Sequence, residues 1–119
     1  PDDEANDILN KKIVEYSAAI LREKPNFHIS LICDVSPFCD CHAENDVPII
    51  PDVGMLASFD PVALDMACAD LCNQQPAMAG SVIDGKPVHD HFDATIRRPI
   101  GASPSIMQRR WALAPAIMS

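Results

Sequence analysis

Basic residues are scarce in this chain: nine Lys+Arg stand against 17 Asp+Glu, for a formal net charge of −8. Nucleic-acid binding is driven by Lys/Arg clusters that displace phosphate counterions, so the deficit argues against a nucleic-acid partner. Long apolar runs are missing as well. No stretch approaches the roughly 20 residues needed to span a bilayer, and the acidic opening PDDEAND is not the basic-then-apolar pattern of an export signal. The expectation is a soluble, cytoplasmic chain with no membrane association. No internal repeat occurs, and 119 residues fit one modest domain that buries roughly 65% of its unfolded surface.

Acidity is not evenly spread. Up to Phe92 there are 5 Lys+Arg and 16 Asp+Glu (5 − 16 = −11), whereas Asp93 to Ser119 holds 4 Arg and 1 Asp (4 − 1 = +3). That last segment also has three prolines, no Lys or Glu and no clear period. A boundary therefore falls near residue 93, giving a 1–92 domain and a 93–119 tail.

Within the first part, Leu9, Ile13, Tyr16 and Ile20 recur at helical spacing, with Val14, Ala18 and Leu21 beside them, and predict an amphipathic helix from Asp3 to about Lys24. Acidic residues favour its start, and Pro25 disfavours helical geometry in the residue before it. FHISLICDV, Phe27 to Val35, alternates and predicts a strand with Phe27, Ile29, Leu31, Cys33 and Val35 on its apolar face. Residues 36–52 follow neither period; a long connection of this kind inside a compact domain is usually functional or disordered, and its Cys and Asp content favours the functional reading. VGMLAS, Val53 to Ser58, is apolar on both faces and predicts a strand covered on both sides. Asp60 then reads as an N-cap and Pro61 as the first residue of a helix to about Gln74, stopped by Pro76. DGKP, Asp84 to Pro87, is turn chemistry. The fold class is α/β: a partial layered domain, helix–strand–long loop–strand–helix, with an incomplete sheet. The link between the strands permits either strand direction.

Five cysteines, an odd number, without export features favour thiols or metal ligands over a disulfide framework. Cys39, Cys41 and His42 bring three soft or borderline ligands into four positions, with Cys33 at the end of the preceding strand. Such a C-x-C loop can hold iron or zinc, act as a redox thiol pair, or be an inert loop; C-x-x-C is the commoner zinc spacing. Neighbouring Asp40 and Asp46 disfavour a free thiolate unless a metal offsets their charge. Asp34 and Asp46 flank the loop, and His89 and His91 alternate in VHDHF, so all four are supporting metal candidates. Cys68 and Cys72, four apart on the second helix, read as core residues. His28 reads as structural. Asp60 is accounted for as a cap, whereas Asp65, one turn on, is the residue an enzyme reading would pair with it to bind a metal or polarise a substrate.

NDILNKKIVEYSAAIL, NFHISLICDVSPFCDCHAENDVPIIPDVGMLASFDPVALDMAC and HDHF closely resemble the C-terminal part of the uncharacterised iron–sulfur-centre proteins of bacteria and archaea, a large family of unknown function. The resemblance covers about Asp3 to Phe92 and keeps the C-D-C loop, N-D-x-P-I, P-D-x-G-M-x-A-S and D-P-V-A-L-D in order. It implies a parent protein in which a pair of bacterial-type ferredoxin motifs, C-x-x-C-x-x-C-x-x-x-C-P, precedes this region; the chain itself has neither motif. By that resemblance it is a fragment, and its partner is the ferredoxin module of the parent chain. The tail departs from the family's ending. Permitted codons for Asp93 to Met118 allow a shifted frame to spell that ending, so a frameshift near Phe92 is expected, with the nucleotide sequence as its test. The expected function is the metal- or redox-centre portion of a ferredoxin-containing iron–sulfur protein, with Cys39 and Cys41 as ligands or redox thiols. The alternatives are a metal-assisted enzyme domain using Asp60 and Asp65, and a non-catalytic scaffold packed on the ferredoxin module.

Overall fold

The computed structural model describes residues 2–38, 43 and 45–95. The chain runs α1 (Asp2–Leu21), β1 (His28–Ile32), β2 (Gly54–Ser58), α2 (Pro61–Gln74) and a short α3 (His91–Thr95). β1 and β2 form a two-stranded antiparallel sheet in the register His28↔Ser58, Ser30↔Leu56 and Ile32↔Gly54. The α/β class, the helix–strand–strand–helix order and the incomplete sheet are as the sequence predicts.

The two strand ends are stitched beyond the regular ladder. Val53 N–H donates to the Ile32 carbonyl (2.9 Å) and Ile49 N–H to the Val35 carbonyl (2.8 Å). These bonds close the base of the long connection and fold its returning limb back under the sheet. The limb thereby delivers Ile49 and Ile50, 1% and 0% exposed, into a core with Ile32, Cys72 and Ile83. Met78 N–H donates to the Ile49 carbonyl (2.8 Å), tying the segment after α2 to the same limb.

α2 begins as predicted. The Asp60 side chain accepts from Val62 N–H (2.9 Å) and Ala63 N–H (3.0 Å), satisfying two donors that no helical carbonyl can reach. Pro61 occupies the first turn, where its missing N–H costs nothing. Ser58 Oγ accepts from Asp60 N–H (3.0 Å), so the cap is itself held by the end of β2. Asp60→Ala is expected to lower stability by about 1 kcal/mol, measured by urea denaturation.

Three expectations about faces fail. On α1 the buried line is Asn10, Val14 and Ala18, while Leu9, Tyr16 and Ile20 of the predicted stripe lie exposed. In β1 the packed residues are Ile32 (4%) and the half-buried His28 and Ser30, whereas Ile29 (59%) and Leu31 (69%) face outward. β2 is not covered on both sides, since Met55 is 67% exposed. The physical reason is common to both strands. Register and twist put residues 28, 30, 32, 54, 56 and 58 on one face, and α2, the helix that packs on both strands, covers that face.

Candidate metal or redox centre

The carboxyl end of β1 and the start of β2 converge at the base of the long connection. Cys33, a free and exposed thiol, follows β1 directly. Asp34 comes next in the left-handed region (φ 48°), where a non-glycine residue is strained. Its N–H donates to Asp52 Oδ1 (2.9 Å), a carboxylate eighteen positions away that holds the turn in place. Ser36 Oγ donates to the Phe38 carbonyl (3.0 Å) on the outgoing limb. On the returning limb Asn45 Oδ1 accepts from Asp46 N–H (3.1 Å), and Asp46 Oδ1 accepts from Val47 N–H (2.8 Å). The two limbs are thus pinned by local polar bonds and by the Ile49–Val35 bond below them.

Cys39 and Cys41, with Asp40, His42 and Glu44, lie outside the described residues. Of the supporting candidates, Asp34 and Asp46 are both exposed and stand on opposite limbs of the connection. Asp46 spends Oδ1 on its own backbone turn, whereas Asp34 is held through its backbone N–H, and a carboxylate has acceptor lone pairs beyond one such bond.

His89 and His91 do not sit together. The alternating reading of VHDHF gives way to a helix start, because Asp90 Oδ1 accepts from Phe92 N–H (2.9 Å) and the Asp90 carbonyl from Ala94 N–H (3.1 Å). His89 is exposed. His91 is 6% exposed, with its N–H bound to Asn73 Oδ1 (2.9 Å) and its Nε2 donating to the Gln75 carbonyl (2.8 Å). Its Nδ1 makes no hydrogen bond in the structure. That nitrogen is buried as well as unbonded. Among the described residues, no group of three or more His, Cys, Asp or Glu could hold a metal ion. Sequence reasoning missed Asp52, Asn73 and Gln75. Each acts on a partner 16 to 18 positions away, a range that local periodicity does not carry.

The remaining thiols belong to the core. Cys72 is 5% exposed among Ile32, Ile49, Ile50 and Ile83, and half-buried Cys68 packs beside it. Burial, with a smaller contribution from Cys68, raises the Cys72 thiol above the ordinary range. The folded state therefore holds this proton more tightly than the unfolded chain does. That stability is fully present below the unfolded thiol's pKa and is lost as pH rises through the folded one. Denaturation midpoints should fall on the alkaline side of the thiol range, and Cys72→Ala should flatten that fall while lowering stability overall.

Asp60 is committed to the α2 cap through its Oδ1, and Asp65 is half-buried one turn on. His28 Nε2 bonds Asn26 Oδ1 (2.8 Å), a structural role of the kind predicted. No helix among the described residues is long and apolar enough to cross a membrane. Neither a curated protein nor a solved structure matches the chain. One family model does, over residues 2–70, which take in α1, both strands, the whole cysteine-bearing connection and most of α2. Since that match covers more than half of the chain, the protein belongs to the family described as Domain of unknown function (DUF362).

Proposed function

We propose that the chain is the metal- or redox-centre portion of a ferredoxin-containing iron–sulfur protein, working in electron transfer or a linked redox reaction. The observation that carries this reading is the pinned connection. A small domain holds the limbs around Cys39–Asp40–Cys41–His42 with a strained Asp34 turn, the Asp52 anchor and the buried Ile49–Ile50 pair. Flanking limbs braced on a buried base are what a ligand-bearing loop needs.

The donor set decides which centre fits. A four-iron cluster takes four thiolates. Cys72 is sealed in the core and Cys68 packs beside it, which leaves Cys33, Cys39 and Cys41 near the connection. A complete cluster does not fit that set, and we place it in the ferredoxin module of the parent. The centre we propose instead is one iron or zinc ion: Cys39 and Cys41 would supply two thiolates, and Asp34, Asp46, His89 or His91 the remaining ligands. Such an ion would offset the carboxylates that otherwise disfavour thiolates beside Asp40 and Asp46.

Two variants separate this reading from an enzyme built on Asp60 and Asp65. Metal lost in Cys39→Ser and kept in Asp65→Asn supports the thiolate centre; the reverse pattern supports the enzyme. The exposed outer face of the sheet favours a second reading, a scaffold that packs on the ferredoxin module without a cofactor of its own. Absence of metal from protein carrying all its thiols reduced would support that reading.

A further inference from the structure

Residues 76–95 pack on the core as a strap. Gln75 leaves α2 in extended geometry (φ −77°, ψ 148°), and Pro76 follows, with no N–H to continue the helix. Hydrogen bonds inside the strap are local: Ser81 N–H donates to the Met78 carbonyl (3.1 Å), Asp84 N–H to that of Ser81 (3.1 Å), Lys86 N–H to that of Ile83 (3.1 Å) and Gly80 N–H to Asp84 Oδ2 (2.7 Å). Each spans three or four residues, so all survive a movement of the strap as a body. Ties to the rest of the domain stand at its two ends. Met78 N–H reaches the Ile49 carbonyl near the start; near the end, His91 gives its backbone N–H to Asn73 Oδ1 and its Nε2–H to the Gln75 carbonyl. Between those ends Ile83, 0% exposed, joins the core cluster that holds Cys72, and Ala77, Val82 and Phe92 pack against that cluster.

Closure is opposed from within the same segment. Among the described residues, the buried side-chain atoms without a hydrogen-bond partner are Ser81 Oγ and His91 Nδ1, and both belong to the strap. With the strap lifted, water satisfies each of them. With it closed, each has lost that water and gained no protein partner, a penalty as large as the net gain from a typical hydrogen bond or larger. Burial of Ile83 and the bonds of Met78 and His91 therefore hold down a segment that carries two unmet polar groups under it. A part of a domain balanced in this way opens at a lower free energy than the whole.

We infer that the strap opens as one unit about the Gln75–Pro76 junction, uncovering the Cys72 thiol and loosening the base of the cysteine-bearing connection. Ile49 carries the second effect. Its carbonyl accepts from Met78 in the strap, while its own N–H donates to the Val35 carbonyl at the base of the connection. One residue thus joins the two, and release of Met78 removes half of what fixes the Ile49 backbone. α2 stays in place when the strap lifts, because it packs on both strands. The device is built from described residues alone and stands whether or not the connection binds a metal.

The test is the rate at which N-ethylmaleimide labels Cys72 in the reduced, metal-free full chain, resolved by residue with mass spectrometry across a urea series below the unfolding transition. Exposed Cys33 is the internal control, labelled fast and equally in every variant. In the wild-type chain Cys72 should label more slowly than Cys33, yet with a urea slope below that of global unfolding, since only the strap's contacts are exposed. Asn73→Ala, which removes the acceptor of His91 N–H, should speed Cys72 labelling ~5-fold. Ser81→Ala, which removes a buried hydroxyl without a partner, should slow it by a similar factor. Amide exchange at Ile49 should move with Cys72 in both variants, while the β1–β2 ladder keeps its wild-type protection. Should Asn73→Ala fail to fold, the wild-type slope and Ser81→Ala decide the matter. Cys72 labelling with the full urea slope of global unfolding overturns the inference. So does faster labelling in Ser81→Ala, or Ile49 exchange that ignores the strap variants.

Discussion

Ile50→Ala should come close to unfolding the domain. Ile50 is fully buried and stands at the centre of a core whose other buried members are Ile32, Ile49, Cys72 and Ile83. Removing three heavy atoms there forfeits their transfer energy and leaves a cavity, a loss of about 2 to 5 kcal/mol for an aliphatic side chain cut to alanine. Whole domains hold only about 5 to 15 kcal/mol, and a small one with an open sheet face sits at the low end. Urea denaturation followed by circular dichroism should show the midpoint falling by more than ~1 M, at a slope of about 1 to 2 kcal/mol/M. Met66→Ala, at a half-exposed position on α2 (49%), should change stability by no more than about 0.5 kcal/mol. Equal effects at the two sites would show that the Ile49–Ile50 limb is not the core.

The second large effect is chemical. Cys39→Ser and Cys41→Ser should each abolish stoichiometric metal binding. A thiolate is the donor that soft and borderline ions prefer, and serine, un-ionised at neutral pH, replaces it with a poor one. Because the Ile49–Val35 and Asp34–Asp52 bonds brace the connection from below, the same variants should leave the urea midpoint of the metal-free protein within about 0.5 kcal/mol of the parent. Loss of metal without loss of fold distinguishes a site carried by the loop from a loop that only holds the domain together.

Local chemistry was legible in the sequence and tertiary partnering was not. The Asp60–Pro61 start and Gln74 end of α2 follow from capping and proline rules that act within one turn. β1 was found by alternation and β2 as a short run apolar on both faces, each within about three residues of its ends. The side of β1 that would be buried was predicted wrongly, since alternation shows that two faces differ without showing which one α2 covers. Apolar content pointed to Ile29 and Leu31, yet the face carrying His28 and Ser30 is the packed one. Ile49 and Ile50 escaped for a related reason. They lie between Pro48 and Pro51, where no period can establish itself, and they are buried through the Ile49–Val35 and Met78–Ile49 hydrogen bonds. Antiparallel pairing depended on the same non-local bonds.

The candidate site divides in the same way. Cys-Asp-Cys-His is visible by composition alone, and the left-handed Asp34 turn that begins the connection is visible only in the fold. His91 passed for an extended-segment ligand because VHDHF alternates. Asp90 instead starts a helix and buries the ring against the end of α2, where the Gln75 carbonyl takes Nε2–H. His91 is thereby held against the end of α2, with its Nδ1 buried and unbonded.

The most direct test of the central claim is the metal content of the anaerobically purified chain, by elemental analysis with an ultraviolet–visible spectrum. The account predicts close to one equivalent of iron or zinc, with thiolate-to-metal absorption if the ion is iron, and neither in Cys39→Ser. Protein with all its thiols reduced and no bound metal, before and after incubation with ferrous iron or zinc, would contradict it.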